Sequence, residues 1–335
     1  MKLHVLHVGD TKVPYGQFYG GTDDQWVGVR GMLRFLRDKS HFITVPIHAF
    51  LVEHPEHGAL LVDTGITWRQ AHDHRAYYDG PLLRAAFDED EYSLEEGQQL
   101  LGHLQRRGLT AADVRTVVLT HLHEDHLGGV RDLLGARFLV SADDWSARNL
   151  GIFPFRRTPS LKGVLTDPEQ VRFTGPPVGP FPASHDVLGD GSVVLLPTPG
   201  HSAGHLSVLI DGGDWRVLCV GDTLYTLRHL DSDRIRPIML GRRARDRQLD
   251  SIERIRRLRA ELPGLVPAPG HDHTEYGRAL ERIFQGDPDP AALAGLHAVE
   301  AALVTPDGRL AGPSRPAYRP APAGSAVGTV DFGRG

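Results

Sequence analysis

A chain of 335 residues with 40% hydrophobic and 24% charged side chains has ample material for one large core or two small ones. Its net charge of −5 gives no electrostatic reason to expect nucleic acid as a partner. No apolar run approaches the roughly 20 residues of a membrane span, and a single cysteine excludes an internal disulfide, so the cytoplasm is the expected compartment.

Residues 1–9 read as a first strand, too short and too interrupted by histidine for a signal peptide. Residues 15–26 are a loop rich in glycine and aromatics, followed by a short helix near 32–37. Alternation and β-branching predict a strand over 42–52, a turn at Pro55-Glu56-His57-Gly58 and a hairpin partner over 59–62 that ends in Asp63-Thr64-Gly65. Residues 67–97 are irregular, and their acidic run at 88–91 reads as a solvated surface. A helix is expected over 94–107, stopped by Gly108, and Thr110 is placed to cap a short turn over 111–114.

The chemistry is concentrated in the next stretch. Val117-Val118-Leu119 is a short β-branched run, hence a buried strand, and Thr120-His121-Leu122-His123-Glu124-Asp125-His126-Leu127-Gly128-Gly129 follows it. On an extended chain, residues two apart share a side, so His121 and His123 can grip one ion together. The Gly128-Gly129 pair permits a tight bend. A turning backbone aims Asp125 and His126 at a second position, on the order of 3.5–4 Å from the first. A lone histidine is ordinarily a surface or hydrogen-bonded core residue. Three of them with an aspartate at this spacing describe a two-metal hydrolase.

A helix over 130–134 and a strand over 137–141 come next. Residues 148–185, rich in Pro, Gly and Phe, are either an insertion overhanging a site or an ordinary long loop. A strand over 193–196 runs into Pro197-Thr198-Pro199-Gly200-His201-Ser202-Ala203-Gly204-His205. Pro and Gly make that loop rigid, which suits a ligand at His201, with His205 as a structural hydrogen-bonding neighbour. A hairpin over 206–210 and 216–220 carries Cys219 as a small buried hydrophobe and delivers Gly221-Asp222-Thr223-Leu224-Tyr225. Arg242–Glu261 is an arginine-rich helix with Leu249, Ile252, Ile255 and Leu258 as its buried stripe. Leu265-Val266 leads to Pro267-Ala268-Pro269-Gly270-His271-Asp272. Asp289-Pro290 starts a final helix to residue 303, residues 305–325 read as a Pro/Ala/Gly-rich tail or extended arm, and 327–332 as either a last small strand or disorder.

The run His121-x-His123-x-Asp125-His126, with His201, Asp222 and His271 after it in order, resembles the metallo-β-lactamase superfamily over residues 40–285. The resemblance implies an α+β fold, a four-layer αββα sandwich with a dinuclear metal site at one edge. The expected organisation is a catalytic domain over 1–285 and a C-terminal helix and tail over 286–335. It implies His121, His123 and His201 on one metal, Asp125, His126 and His271 on the other, and Asp222 bridging both. An anion so placed relieves the repulsion of two dications, and its presence argues against a true β-lactamase. Asp63 then lies behind the site and orients a ligand, although a plain turn carboxylate explains it equally. Imidazole and carboxylate without thiolate suit two zinc ions, and iron, manganese or cobalt could occupy the same shell.

Tyr225, three residues after Asp222, resembles the tyrosine that assists at the lactone carbonyl in N-acyl homoserine lactonases, the quorum-quenching lactonases. An aromatic packed beside the site is the alternative. The activity this implies is lactone opening by a metal-bridging hydroxide, with Asp125 passing a proton to the departing oxygen. The expected partner is a small-molecule ester or lactone, neither nucleic acid nor membrane, and a homodimer stays open. Glyoxalase II-type thioesterases are the main rival, although residues 226–231 lack the basic and aromatic glutathione-binding segment of those enzymes. A phosphodiesterase of the same fold is third, and a non-catalytic metal-binding scaffold is the reading from another class.

Overall fold

The computed structural model describes residues 1–14, 18, 42–78, 80–81, 91–149, 163–230 and 241–303. Most of the glycine- and aromatic-rich loop, the helix near 32–37, most of the acidic run, the middle of the 148–185 insertion, the tail and the last small strand lie outside the described residues.

Period-two alternation decides the architecture. The first sheet starts with β1 (Lys2–Pro14), β2 (Phe42–His54) and β3 (Gly58–Val62), an antiparallel set. Neighbouring side chains on a strand leave on opposite faces, and here both faces are apolar. Phe50, Val52, Leu60 and Val62 enter one core, while Ala49, Leu51, Ala59 and Leu61 enter another. A sheet apolar on both faces must be covered on both. The sheet continues through β5 (Val114–Val118), β6 (Arg137–Ser141) and β7 (Glu169–Val171), all parallel to β3, with the short β4 (Tyr92–Ser93) beside β1.

The second sheet has the order β12-β11-β10-β9-β8, from β8 (His185–Asp186), β9 (Val193–Pro197), β10 (Leu206–Asp211), β11 (Arg216–Gly221) and β12 (Leu265–Pro269). Leu195, Leu206, Val208, Val217 and Cys219 share the first core with Phe50 and Val62. β13 (Gln285–Gly286) closes the far edge of the first sheet against β1.

Helices cover the outer faces. On the first sheet α3 (Leu100–Gln105) buries Leu100 and Leu104, and α4 (Ala142–Ala147) buries Trp145. Two one-turn helices, α1 (Trp68–His72) and α2 (His74–Tyr77), precede them. On the second sheet α5 (Arg242–Glu261) contributes Ile252, Ile255 and Leu258, and α6 (Glu275–Ile283) contributes Tyr276, Ala279 and Leu280. The layers are therefore helix, sheet, sheet, helix, an α+β sandwich of the αββα kind. The last helix, α7 (Pro290–Ala302), is capped by the Asp289 carboxylate at 2.7 Å from the Ala292 amide. It buries Leu296 in the same core and pairs Glu300 with Arg259. Among the described residues no helix is long and apolar enough to cross a membrane.

Several elements differ in detail from their expectation. The helix expected over 94–107 narrows to α3, and the one expected over 130–134 is a 3-10 turn, Gly128–Leu133. The buried stripe of α5 includes Gln248 and Ser251, while Leu249 is only half-buried. Gly128 and Gly129 serve close packing more than a bend. A Cβ on Gly128 would sit 2.3 Å from the backbone carbon of Ile66, and one on Gly129 2.5 Å from a Leu100 methyl.

Candidate metal centre

β9, β11 and β12 run in one direction in the second sheet, and β3 and β5 run together in the first. The chain leaves β5 into His121 and His123, β9 into His201, β11 into Asp222 and β12 into His271. These strand ends meet at one edge of the sandwich, so both sheets supply the site. His121 and His123 follow the strand in open loop, and a 3-10 turn, Glu124–His126, then redirects the chain. That turn separates two groups of donors.

His121, His123, His201 and Asp222 form one group, with donor atoms within 4.8 Å of each other. His201 Nε2 lies 3.2 Å from His121 Nε2, 2.8 Å from His123 Nδ1 and 3.1 Å from Asp222 Oδ2. Asp125, His126 and His271 form the second. Here Asp222 presents its other oxygen: Oδ1 is 3.4 Å from His126 Nε2 and 3.1 Å from His271 Nε2. Asp125 Oδ2 is 3.5 Å from His271 Nε2, and Oδ1 is 3.8 Å from His126 Nε2. All seven residues expected at the metals are thus brought together. Glu124 turns away from both groups and accepts from the Tyr78 hydroxyl at 3.1 Å, while burial pushes its carboxyl up to about 8.

Hydrogen bonds on the outer side of several rings decide which nitrogen faces inward. Asp63 Oδ2 accepts from His126 Nδ1–H at 2.8 Å, which leaves the His126 Nε2 lone pair facing the site. Asp63 also accepts from the Thr120 amide and hydroxyl, both at 2.8 Å, and so holds a positive φ of 59°. With its proton given to Asp63, Thr120 Oγ1 accepts from His121 Nδ1–H at 3.0 Å, so His121 also presents Nε2. The Pro46 carbonyl accepts from His271 Nδ1–H at 2.8 Å. His205 accepts the Asp222 amide N–H at its Nε2, 3.1 Å away, and its Nδ1 faces Thr198 Oγ1 at 2.9 Å. It touches the Asp222 backbone rather than the carboxylate. Tyr225 is 3% exposed, and its hydroxyl lies 3.0 Å from His201 Nδ1.

Charge and burial oppose one another here. Burial resists a proton on His126, yet Asp63, Asp125 and Asp222 outweigh it and raise its pKa well above the ordinary value. Burial likewise resists charge on Asp222, but His271, His201, His126 and His121 hold its carboxyl well below the usual range. Burial, reinforced by neighbouring histidines, lowers His121 well below its ordinary value and His123 to about 4. The site combines imidazoles with anionic carboxylates, the donor set of a divalent cation.

The residues fit such ions. His126 Nε2 and Asp222 Oδ1 are buried without a hydrogen bond and lie 3.4 Å apart. A cation satisfies both. The contacts of His201 with His121, His123 and Asp222 and of His121 with Asp222, at 2.8–3.7 Å, bracket the edge of a tetrahedral shell with ligands at about 2.0–2.1 Å, roughly 3.3 Å.

A third group, His54, His57 and Asp190, sits at the β2–β3 turn, at the opposite end of those strands. His54 Nδ1 accepts the amides of Glu56 and His57, both at 3.2 Å, so its proton is on the Nε2 that faces Asp190. His54 Nε2 and His57 Nε2 each lie 3.4 Å from Asp190 Oδ2, so the group clasps the turn to the β8–β9 loop.

Sequence reasoning missed several residues of the outer layer. Gln248 donates from its amide to the carbonyls of Asp222 and Thr223, both at 3.2 Å. A polar residue four places before Ile252, on the buried stripe of α5, is the signal that could have found it. Thr120, Thr198 and Thr64 carry no such signal, because a threonine beside a strand end is ordinary.

The sequence model of the Metallo-beta-lactamase superfamily matches residues 43–295. A probable metallo-hydrolase of Mycobacterium tuberculosis is 34% identical over 202 residues, which are 56% of this chain and 60% of that protein. The match thus spans less than two thirds of that relative's length. The N-acyl homoserine lactonase AttM of Agrobacterium fabrum is 27% identical over 241 residues, 68% of this chain and 82% of that protein. Among solved structures, an N-acyl homoserine lactone hydrolase with N-hexanoyl-L-homoserine bound at its catalytic metal center shares the fold. Its TM-score is 0.62 at 19% identity, over 81% of this chain and 93% of that one.

Proposed function

This chain belongs to the Metallo-beta-lactamase superfamily, and from that premise we propose that it is a dinuclear-metal hydrolase that opens N-acyl homoserine lactones or similar lactones. The carrying observation is Asp222, whose two oxygens face two separate groups of imidazoles. His121, His123 and His201 would hold one divalent ion with one Asp222 oxygen, and Asp125, His126 and His271 the second with the other. Zinc suits the all-imidazole and carboxylate set best, with iron, manganese and cobalt as alternatives. When bound, such ions supply Lewis acidity toward an ester carbonyl and bring the pKa of water toward neutrality.

The chain's own residues do the rest. Asp125 is the more exposed of the two carboxylates, 16% against 5% for its side chain. It is therefore the one able to take a proton from the attacking water and hand it to the departing ring oxygen. With His201 Nε2 turned to the site, Nδ1–H donates to the Tyr225 oxygen and the phenol proton points elsewhere. Tyr225 can then donate to charge developing on the lactone carbonyl. Asp63 and Thr120 hold the tautomers of His126 and His121.

The lactone preference rests on Tyr225 and on the lactonase relatives. A panel on metal-replete protein tests it, comparing kcat/KM for N-hexanoyl homoserine lactone, S-lactoylglutathione and bis(p-nitrophenyl) phosphate. The lactone is expected to be turned over best. A higher kcat/KM for S-lactoylglutathione would replace the lactonase reading with a thioesterase.

A further inference from the structure

His229 lies outside both donor groups, yet it joins three parts of the site's wall. It sits in the 3-10 turn Leu227–Leu230 and is 1% exposed. Its Nδ1 accepts the Tyr225 backbone N–H at 3.0 Å. An imidazole nitrogen that accepts an amide proton carries none itself, so the ring proton is on Nε2. Nε2–H donates to the Phe18 carbonyl at 2.6 Å. The Phe18 ring in turn stacks on Tyr225, with centroids 4.5 Å apart and planes 19° from parallel. One imidazole therefore fixes the Tyr225 backbone and the residue that covers the Tyr225 ring. Burial holds His229 at about 4, with Arg228 adding to that and the Phe18 bond opposing it, so the ring is neutral near pH 7.

The same turn is tied to the loop of His271, because Asp272 Oδ2 accepts from the Leu227 amide at 2.8 Å. That bond sets where the turn begins but leaves the Tyr225 amide to His229.

We propose that His229 is a positioning residue that sets the Tyr225 hydroxyl for the reaction by accepting the Tyr225 amide, with its bond to the Phe18 carbonyl as a secondary support. The inference rests on the role given to Tyr225 above. Two near-isosteric variants separate the two halves of the imidazole. His229→Gln keeps a donor toward the Phe18 carbonyl and loses the acceptor for the Tyr225 amide. His229→Asn keeps that acceptor and loses the donor.

The test uses full-length, metal-loaded protein with N-hexanoyl homoserine lactone as substrate. Outer-layer partners of this kind are worth about 10-fold or more in activity. His229→Gln is expected to lower kcat about 10-fold with KM within about 2-fold and metal content unchanged. His229→Asn should keep kcat within about 3-fold of wild type. Hydrogen exchange supplies a readout independent of turnover: the peptide holding Tyr225 should exchange faster in His229→Gln and at the wild-type rate in His229→Asn. In a Tyr225→Phe background His229→Gln should change kcat by less than about 2-fold, because the group it positions is gone.

A full 10-fold loss in that background would refute the inference and leave Tyr225 standing. So would equal losses in the Gln and Asn variants, or a loss of about 10-fold in the Asn protein alone if the Gln protein does not fold. A Tyr225→Phe protein with wild-type kcat would refute the role of Tyr225, and the inference with it.

Discussion

At Asp222 one buried carboxylate is surrounded by four histidines, and its two oxygens face two different groups of donors. Two dications at that separation repel strongly, and removing the shared anion removes what offsets the repulsion. Asp222→Ala should therefore lower metal from about two ions per chain to one or fewer, and abolish turnover with it. Elemental analysis of metal-loaded protein measures this, and a fully active Ala variant would end the assignment of the bridge. Tyr225 calls for the opposite signature. Its phenol is not needed to hold the donor groups, so Tyr225→Phe should keep its metal. Losing one donor to a developing oxyanion costs about 10²–10³ in kcat, and an ion sharing that charge should reduce the loss to about 10–100-fold. Steady-state kinetics on lactones, beside metal content, decide the matter.

The turn after β5 shows how much an element can conceal from sequence. The strands were legible because short apolar runs with β-branched residues report directly on two covered faces, as in β2, β3 and β6. The ligand residues were legible because few other contexts place His, Asp and His so densely. The clamp behind them was not. The Thr64 amide and hydroxyl bind the His126 carbonyl at 2.9 and 2.8 Å, and the Gly128 amide binds the Gly65 carbonyl at 2.6 Å. These contacts join residues some sixty positions apart, and local pattern carries no trace of them. The Gly128-Gly129 pair looks like a bend from sequence but is a close approach of two backbones. Gly128→Ala tests that account. Its Cβ would meet the Ile66 backbone at 2.3 Å, which no side-chain rotation relieves. The expected cost is about 1–3 kcal/mol, the range of overpacking. Urea unfolding should show a lower midpoint with an unchanged slope; an unaltered midpoint would mean that the turn has slack.

Across the whole molecule the candidate site is an interface between the two sheets. His121, His123, Asp125 and His126 follow β5 of the first sheet, while His201, Asp222 and His271 follow β9, β11 and β12 of the second. Each proposed ion would take ligands from both, so binding and the docking of the sheets are one equilibrium. An ion that binds the folded chain and not the unfolded one stabilises it by RT ln(1 + [L]/Kd), about 4 kcal/mol at a free concentration 1,000 times Kd. In a chain of this size each kcal/mol is worth roughly 2 °C in melting temperature, by extension from domains of 150–250 residues. Zinc added to chelator-stripped protein should therefore raise the melting temperature by roughly 8 °C per tightly held ion. The Asp222→Ala protein separates this from general salt effects, since it keeps both sheets and most of the imidazoles but loses the shared anion. Its melting temperature should respond to zinc by less than about half as much. An equal response in both proteins would place the stabilising ion elsewhere and undo the claim that metal ties one sheet to the other.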